Sequence, residues 1–146
     1  MRKIRFRGKD IKTGNWVYGY YCEHHLPEYD NDIPELVTGY TNLSVIFNDE
    51  QGHRDACFWT NVEPETVGQY TGIDDDNGEE IYEGDILHVK DKYDYEFEGV
   101  VYFDNNYHHA FGILDKERFW NSFNEMNSLL KIANIHDNPD FFIKEK

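Results

Sequence analysis

Apolar residues along this chain come in short runs, and most of them alternate with polar positions. In Trp16–Cys22 (W-V-Y-G-Y-Y-C), Trp16, Tyr18 and Tyr20 share one face and Val17 and Tyr21 the other, because strand side chains alternate sides. Residues 91–98 set Tyr93, Tyr95 and Phe97 against Asp94, Glu96 and Glu98, which predicts a strand with one wet face. Val100–Phe103 and Tyr107–Ile113 continue the meander across an Asp104-Asn105-Asn106 turn. Leu36–Val37, Leu43–Phe47 and Ala56–Trp59 predict further short strands, forming an inserted hairpin. Residues 2–7 predict a first strand whose Arg2, Lys3, Arg5 and Arg7 form the outer face of a sheet edge. The spacing of Phe119, Phe123, Met126 and Leu130 is helical, but the surrounding asparagines weaken it, so 115–128 reads as short helix or loop. Leu129–Ile135 is expected as a last strand. Asn138-Pro139-Asp140 then caps a final short helix.

The strongest turn signal lies between Gln69-Tyr70-Thr71 and Glu80-Ile81-Tyr82. Asn77-Gly78 suits a tight reversal there, because Asn tolerates positive φ and Gly has no Cβ to clash. Asp74, Asp75 and Asp76 are expected at its exposed tip, with their charge solvated. Glu83-Gly84-Asp85 marks a second bend feeding Ile86–Val89. The expected fold is therefore mainly β: a small, barrel-like, SH3-like antiparallel sheet with short helical segments, especially at the C-terminal end. The 146 residues fit one unit spanning 1–146, with a subdivision into 1–67 and 68–146 as the alternative.

Charge narrows the choice of partner. Twenty-nine acids against 14 bases leave a net charge of −15, which opposes direct nucleic-acid binding and favours solubility or a basic protein partner. Mimicry of nucleic acid towards a basic host protein is an alternative, although the acids are scattered. Aromatics are abundant (11 Tyr, 10 Phe, 3 Trp) and serve either the core or a contact surface such as Tyr93-Asp94-Tyr95-Glu96. Two cysteines do not make a disulfide scaffold, and no apolar run approaches a membrane span, so a cytoplasmic protein with no membrane contact is expected.

Candidate chemistry is sparse. Cys22, His24 and His25 lie together, and His53-x-x-x-Cys57 follows, so Cys22, His24, His53 and Cys57 are the candidates for a zinc site or a cryptic metalloenzyme. The alternative is one buried thiol with exposed histidines. His88 and the His108-His109 pair read as structural. A calcium loop fails on spacing: with Gly78 as its sixth residue, position one is Ile73 and position twelve is Gly84. No serine sits in a nucleophile elbow, and no glycine-rich phosphate loop occurs. No catalytic residue and no cofactor are expected.

The stretch Q-Y-T-G-I-x-D-x-N-G-x-E-I-Y-E-G-D-I at 69–86 resembles the signature of the YopX family of phage and prophage proteins. Phe6-Arg7-Gly8, Asn15-Trp16-Val17-Tyr18-Gly19, Val62–Gly68 and Ile132–Pro139 are similar to other parts of that family's pattern. The likeness is weakest over 23–60, where the Cys/His candidates lie, and over 104–128. The resemblance implies a mainly β, self-associating protein of the bacterial host cytoplasm. It carries over no catalytic residue. The leading expectation is a non-enzymatic, homo-oligomeric accessory protein that acts by binding another protein.

Overall fold

The computed structural model describes residues 3–23, 41–48 and 54–142, with side chains described over 3–21 and 60–141. The chain is mainly β and its strand pairs are antiparallel. The only helical pieces among the described residues are three 3-10 turns. It divides into two compact units, Ile4–Gly68 and Gln69–Lys146 with the first three residues.

In the first unit β1 (Phe6–Lys9), β2 (Trp16–Glu23), β3 (Thr41–Asn48) and β4 (Arg54–Val62) pair in the order β4-β3-β2-β1. Leu36–Val37 falls outside the described residues. The end of β4 returns beside the end of β1: Asp10 bridges Val62, and Glu63 N–H donates to Lys9 O at 2.9 Å. Pro64 then opens a 3-10 turn, Pro64–Thr66, which Thr66 pins down. Its hydroxyl accepts from Lys9 N–H at 2.8 Å and donates to Glu63 O at 2.7 Å. β1 starts later than the basic alternation predicts. Arg7 is buried instead of lining an outer face, with its guanidinium carbon 4.5 Å from the Trp16 ring centroid. A planar, weakly hydrated guanidinium can be buried against an indole in a way an ammonium cannot.

The second unit contains the hairpin of β5 (Gly68–Asp74), but for its first residue, and β6 (Glu80–Tyr82), then β7 (Asp85–Asp91), β8 (Glu96–Asp104), β9 (Ala110–Asp115), β10 (Trp120–Ser122) and β11 (Met126–Asn134). The last five form a sheet in the order β10-β9-β8-β7-β11. Ile81, Leu87, Val89, Val101, Ile113 and Phe123 make its core, with Phe97, Phe111, Met126 and Leu129 packed against them. Each fully buried side chain of this size contributes about 1.5–3 kcal/mol. Leu87 and Val89 alternate with His88 and Lys90 along β7, so one face of the sheet is apolar and the other carries charge.

Further expectations are corrected. Residues 91–98 are not one strand: 92–95 turn the chain, and the tyrosines Tyr93 and Tyr95 stand exposed on that turn. Residues 115–128, expected as short helix or loop, contain a strand as well. They form a turn, β10 and a single 3-10 turn, Phe123–Glu125, before β11, and the C-terminal helix is likewise a 3-10 turn, Pro139–Phe142. The aspartates of the 74–79 tip are not all solvated. Asp75 is buried, its Oδ1 accepting from the N–H groups of Asn77 and Glu79 and its Oδ2 from Lys131 N–H.

One turn design recurs. Asp75, Asp91 and Asp115 each take the first position of a five-residue reversal, and each uses a carboxylate oxygen to hold the N–H groups two and four residues on. The backbone of each Asp also donates to the carbonyl four residues on. The fourth residue is left-handed in all three turns: Gly78 (φ 81), Asp94 (φ 64) and Arg118 (φ 66). That is the geometry of a type I turn ending in a glycine-type bulge.

Candidate functional site

Two of these turns frame a cleft of about 520 Å³ on the charged face of the second unit's sheet. Strands β7 and β8 supply His88, Glu96, Phe97 and Glu98, the turn before β8 supplies Tyr95, and the turn after β9 supplies Asp115, Lys116 and Glu117. Period-two alternation explains the placement: Glu96 and Glu98 point away from the core that Phe97 faces, and His88 pairs opposite Glu98.

The cleft holds four carboxylates and one ammonium. Lys116 Nζ lies 2.8 Å from Glu98 Oε2, and His88 Nε2 lies 3.6 Å from Glu96 Oε2. Asp115 is occupied by its own turn and by the Asn121 amide at 3.3 Å. Glu96 and Glu117 are exposed at the rim, beside the Tyr95 ring, which is 66% exposed and stacks on Phe97 at 6.1 Å. Acidic groups beside an exposed aromatic face suit an ammonium or guanidinium group, through both charge and the ring quadrupole. The sequence leaves Tyr93–Glu96 open between core and contact surface, and it does not mark out Glu98, Asp115, Lys116 and Glu117, since one acidic position looks much like another in so acidic a chain.

A second polar cluster closes the β8–β9 turn. Asp104 accepts from the N–H groups of Asn106, Tyr107 and His108, and its Oδ2 meets His108 Nδ1 at 2.5 Å. The Asn106 N–H is the first cause that holds the Asp104 carboxyl at about 2. The His108 ring and the other two amides add to it against the cost of desolvation. The His108 ring stacks on Trp120 at 3.7 Å, and the buried Trp120 Nε1 finds no acceptor among the described residues. His108 and His109 therefore sit in the connection between β8 and β9, not on the strand expected over 107–113, and both are exposed.

Of the zinc candidates, Cys22 lies in β2 opposite Asn42, and Cys57 lies in β4 opposite Ile46. β3 runs between them, and Asn42 and Ile46 are four residues apart along it. His24 and His53 lie outside the described residues. No group of three or more His, Cys, Asp or Glu among the described residues is placed to hold a metal. No helix among the described residues is long and apolar enough to cross a membrane.

The family model for "YopX protein" matches residues 5–142. The chain belongs to the YopX family. Among curated proteins none matches it. Among solved structures this YopX family member is similar to protein EF1440 from Enterococcus faecalis, at 20% identity and a TM-score of 0.46, over 97% of this chain and 99% of that one.

Proposed function

We propose that this YopX family member is a non-enzymatic binding protein, and that the cleft framed by the 91–95 and 115–119 turns receives a basic segment of a protein partner. The observation that carries the reading is the composition of the cleft: Glu96, Glu98, Asp115 and Glu117 against Lys116 alone, with Tyr95 exposed at its rim. The family resemblance adds a setting, the cytoplasm of a prophage-bearing bacterium, and adds self-association. Titration with an arginine-rich peptide, followed by amide shifts, tests the cleft. Shifts are expected to concentrate at His88, 95–98 and 115–117, to weaken with salt and to collapse in a Glu96→Lys/Glu117→Lys variant. Shifts spread evenly over all acidic surfaces would sink the reading. Light scattering tests self-association, and a strict monomer at every concentration counts against it.

The barrel is part of the same proposal. β10 and β11 are opposite edges of the five-stranded sheet, yet only Phe123–Glu125 separates them in the chain. Four Cα steps reach at most about 14 Å, whereas the edges of a flat five-stranded sheet lie about 19 Å apart. The sheet therefore curls, as an open, SH3-like barrel does. Contacts between the amides of β10 and the first residues of β11, seen by nuclear Overhauser effects, check the curl.

A further inference from the structure

β11 is an edge of the five-stranded sheet, and the 75–79 turn covers part of its outer rim. Leu129 N–H donates to Asp76 Oδ2 at 3.2 Å, and Lys131 N–H donates to Asp75 Oδ2 at 3.1 Å. Asp76 N–H donates to Leu129 O at 2.9 Å, and the Ser128 hydroxyl meets Asp76 Oδ2. Two side-chain carboxylates thus take the place of the carbonyls that a further strand would bring. Around them Lys131 Nζ reaches Glu79 at 3.2 Å and Glu80 O at 3.1 Å, and Lys3 holds Glu80 at 2.6 Å.

The strand beneath this cover is suited to pairing. Met126–Asn134 (M-N-S-L-L-K-I-A-N) has one charge and neither Pro nor Gly, and Ile132 is 49% exposed. Edge strands of this composition are templates for another chain. A two-fold, antiparallel pairing centred on Leu130 would set Lys131 of each copy opposite Leu129 of the other, which avoids a like-charge contact.

We propose that the β11 edge over residues 128–131 is a latent strand-pairing surface for a second copy of this chain, kept closed by Asp75 and Asp76. The test is an Asp75→Asn/Asp76→Ala variant compared with the wild type by amide hydrogen exchange and by mass in solution. Asp75 uses both oxygens, so Asn turns an amide N–H towards the Lys131 N–H, and Ala removes the acceptor for Leu129. In dilute solution the Leu129 and Lys131 amides should exchange about tenfold faster or more, since charge-assisted hydrogen bonds are lost. Val89 and Leu130 should stay protected. Raising the concentration should restore protection at 129 and 131 as a species of twice the mass appears. Unchanged exchange at 129 and 131 overturns the proposal. Faster exchange with no recovery and no change of mass overturns it too. If Val89 and Leu130 also lose protection, Asp75→Asn alone decides, read at Lys131: unchanged exchange there, or faster exchange with no recovery and no change of mass, overturns the proposal.

Discussion

Replacing Arg118 by Gly should stabilise the protein. Arg118 holds φ 66 at the fourth position of the 115–119 turn, where the matching position of the 75–79 turn is Gly78. Its side chain is exposed and makes no hydrogen bond or ion pair among the described residues. A left-handed conformation costs an L-residue about 1–2 kcal/mol, and glycine gives back about 0.5–1 kcal/mol through its freer unfolded state. The balance for Arg118→Gly is a gain of about 0.5–1 kcal/mol. Asp94→Gly, at φ 64, should gain less, because Asp tolerates this region and the Lys90–Asp94 contact at 3.0 Å is lost. The reverse change, Gly78→Ala, meets no atom within 4 Å, so its loss of about 0.5–1 kcal/mol is backbone strain alone. Urea unfolding followed by circular dichroism reads all three, and the melting temperature of Arg118→Gly should rise by about 2–4 °C. A destabilised Arg118→Gly, or a neutral Gly78→Ala, would refute the account of the turn.

Gly112→Ala places a Cβ inside the Trp120 indole, so the ring must leave its site beside His108. A loss of about 1–3 kcal/mol is expected, together with a changed near-ultraviolet spectrum of Trp120. The acid limb of stability should depend on Asp104 and Asp75. Burial pushes the Asp75 carboxyl up, but the N–H groups of Glu79, Lys131 and Asn77 and the Lys131 charge together hold it below 3.8. The Asp104 carboxyl stands at about 2. Both folded values are depressed, so the stabilisation is full above pH 3.8 and is lost as the pH falls towards about 2. Asp104→Asn should flatten that limb in a series of denaturant titrations from pH 6 to pH 2, and an unchanged slope would count against the hydrogen-bonded Asp104 carboxylate. Phe123→Ala, in the 3-10 turn between β10 and β11, should cost about 3–5 kcal/mol, measured by the same unfolding curves.

Short apolar runs bounded by turns were legible as strands: Trp16–Cys22 and Ile86–Val89 both lie within observed strands. Alternation misled at 91–98. There Tyr93 and Tyr95 alternate with acids because they stand on a turn built by Asp91, and rings at an exposed turn leave the same pattern as rings on a strand. The 120–126 region failed for a different reason. Trp120–Ser122 is too short to show a period, and the helical spacing of Phe119, Phe123 and Met126 does not mark one face: Phe119 is exposed, while a 3-10 turn carries Phe123 into the core.

The cleft was half legible, and its other half shows what the sequence lacked. Asp75, Asp91 and Asp115 each stand four residues before the exit of their turn, and that spacing is readable. It went unread because only one of the three turns has Gly at the left-handed position, and Gly is the signal a reader looks for. Asp94 and Arg118 accept strain at the two turns that frame the cleft, while Gly78 relieves it at the turn docked on β11. The two strained turns are the ones that present Tyr95, Glu96, Lys116 and Glu117. Left-handed side chains at positions where glycine would be more stable are in keeping with the contact surface proposed above. If Arg118→Gly and Asp94→Gly raise stability and leave peptide binding at the cleft unchanged, that connection fails and the two residues are incidental.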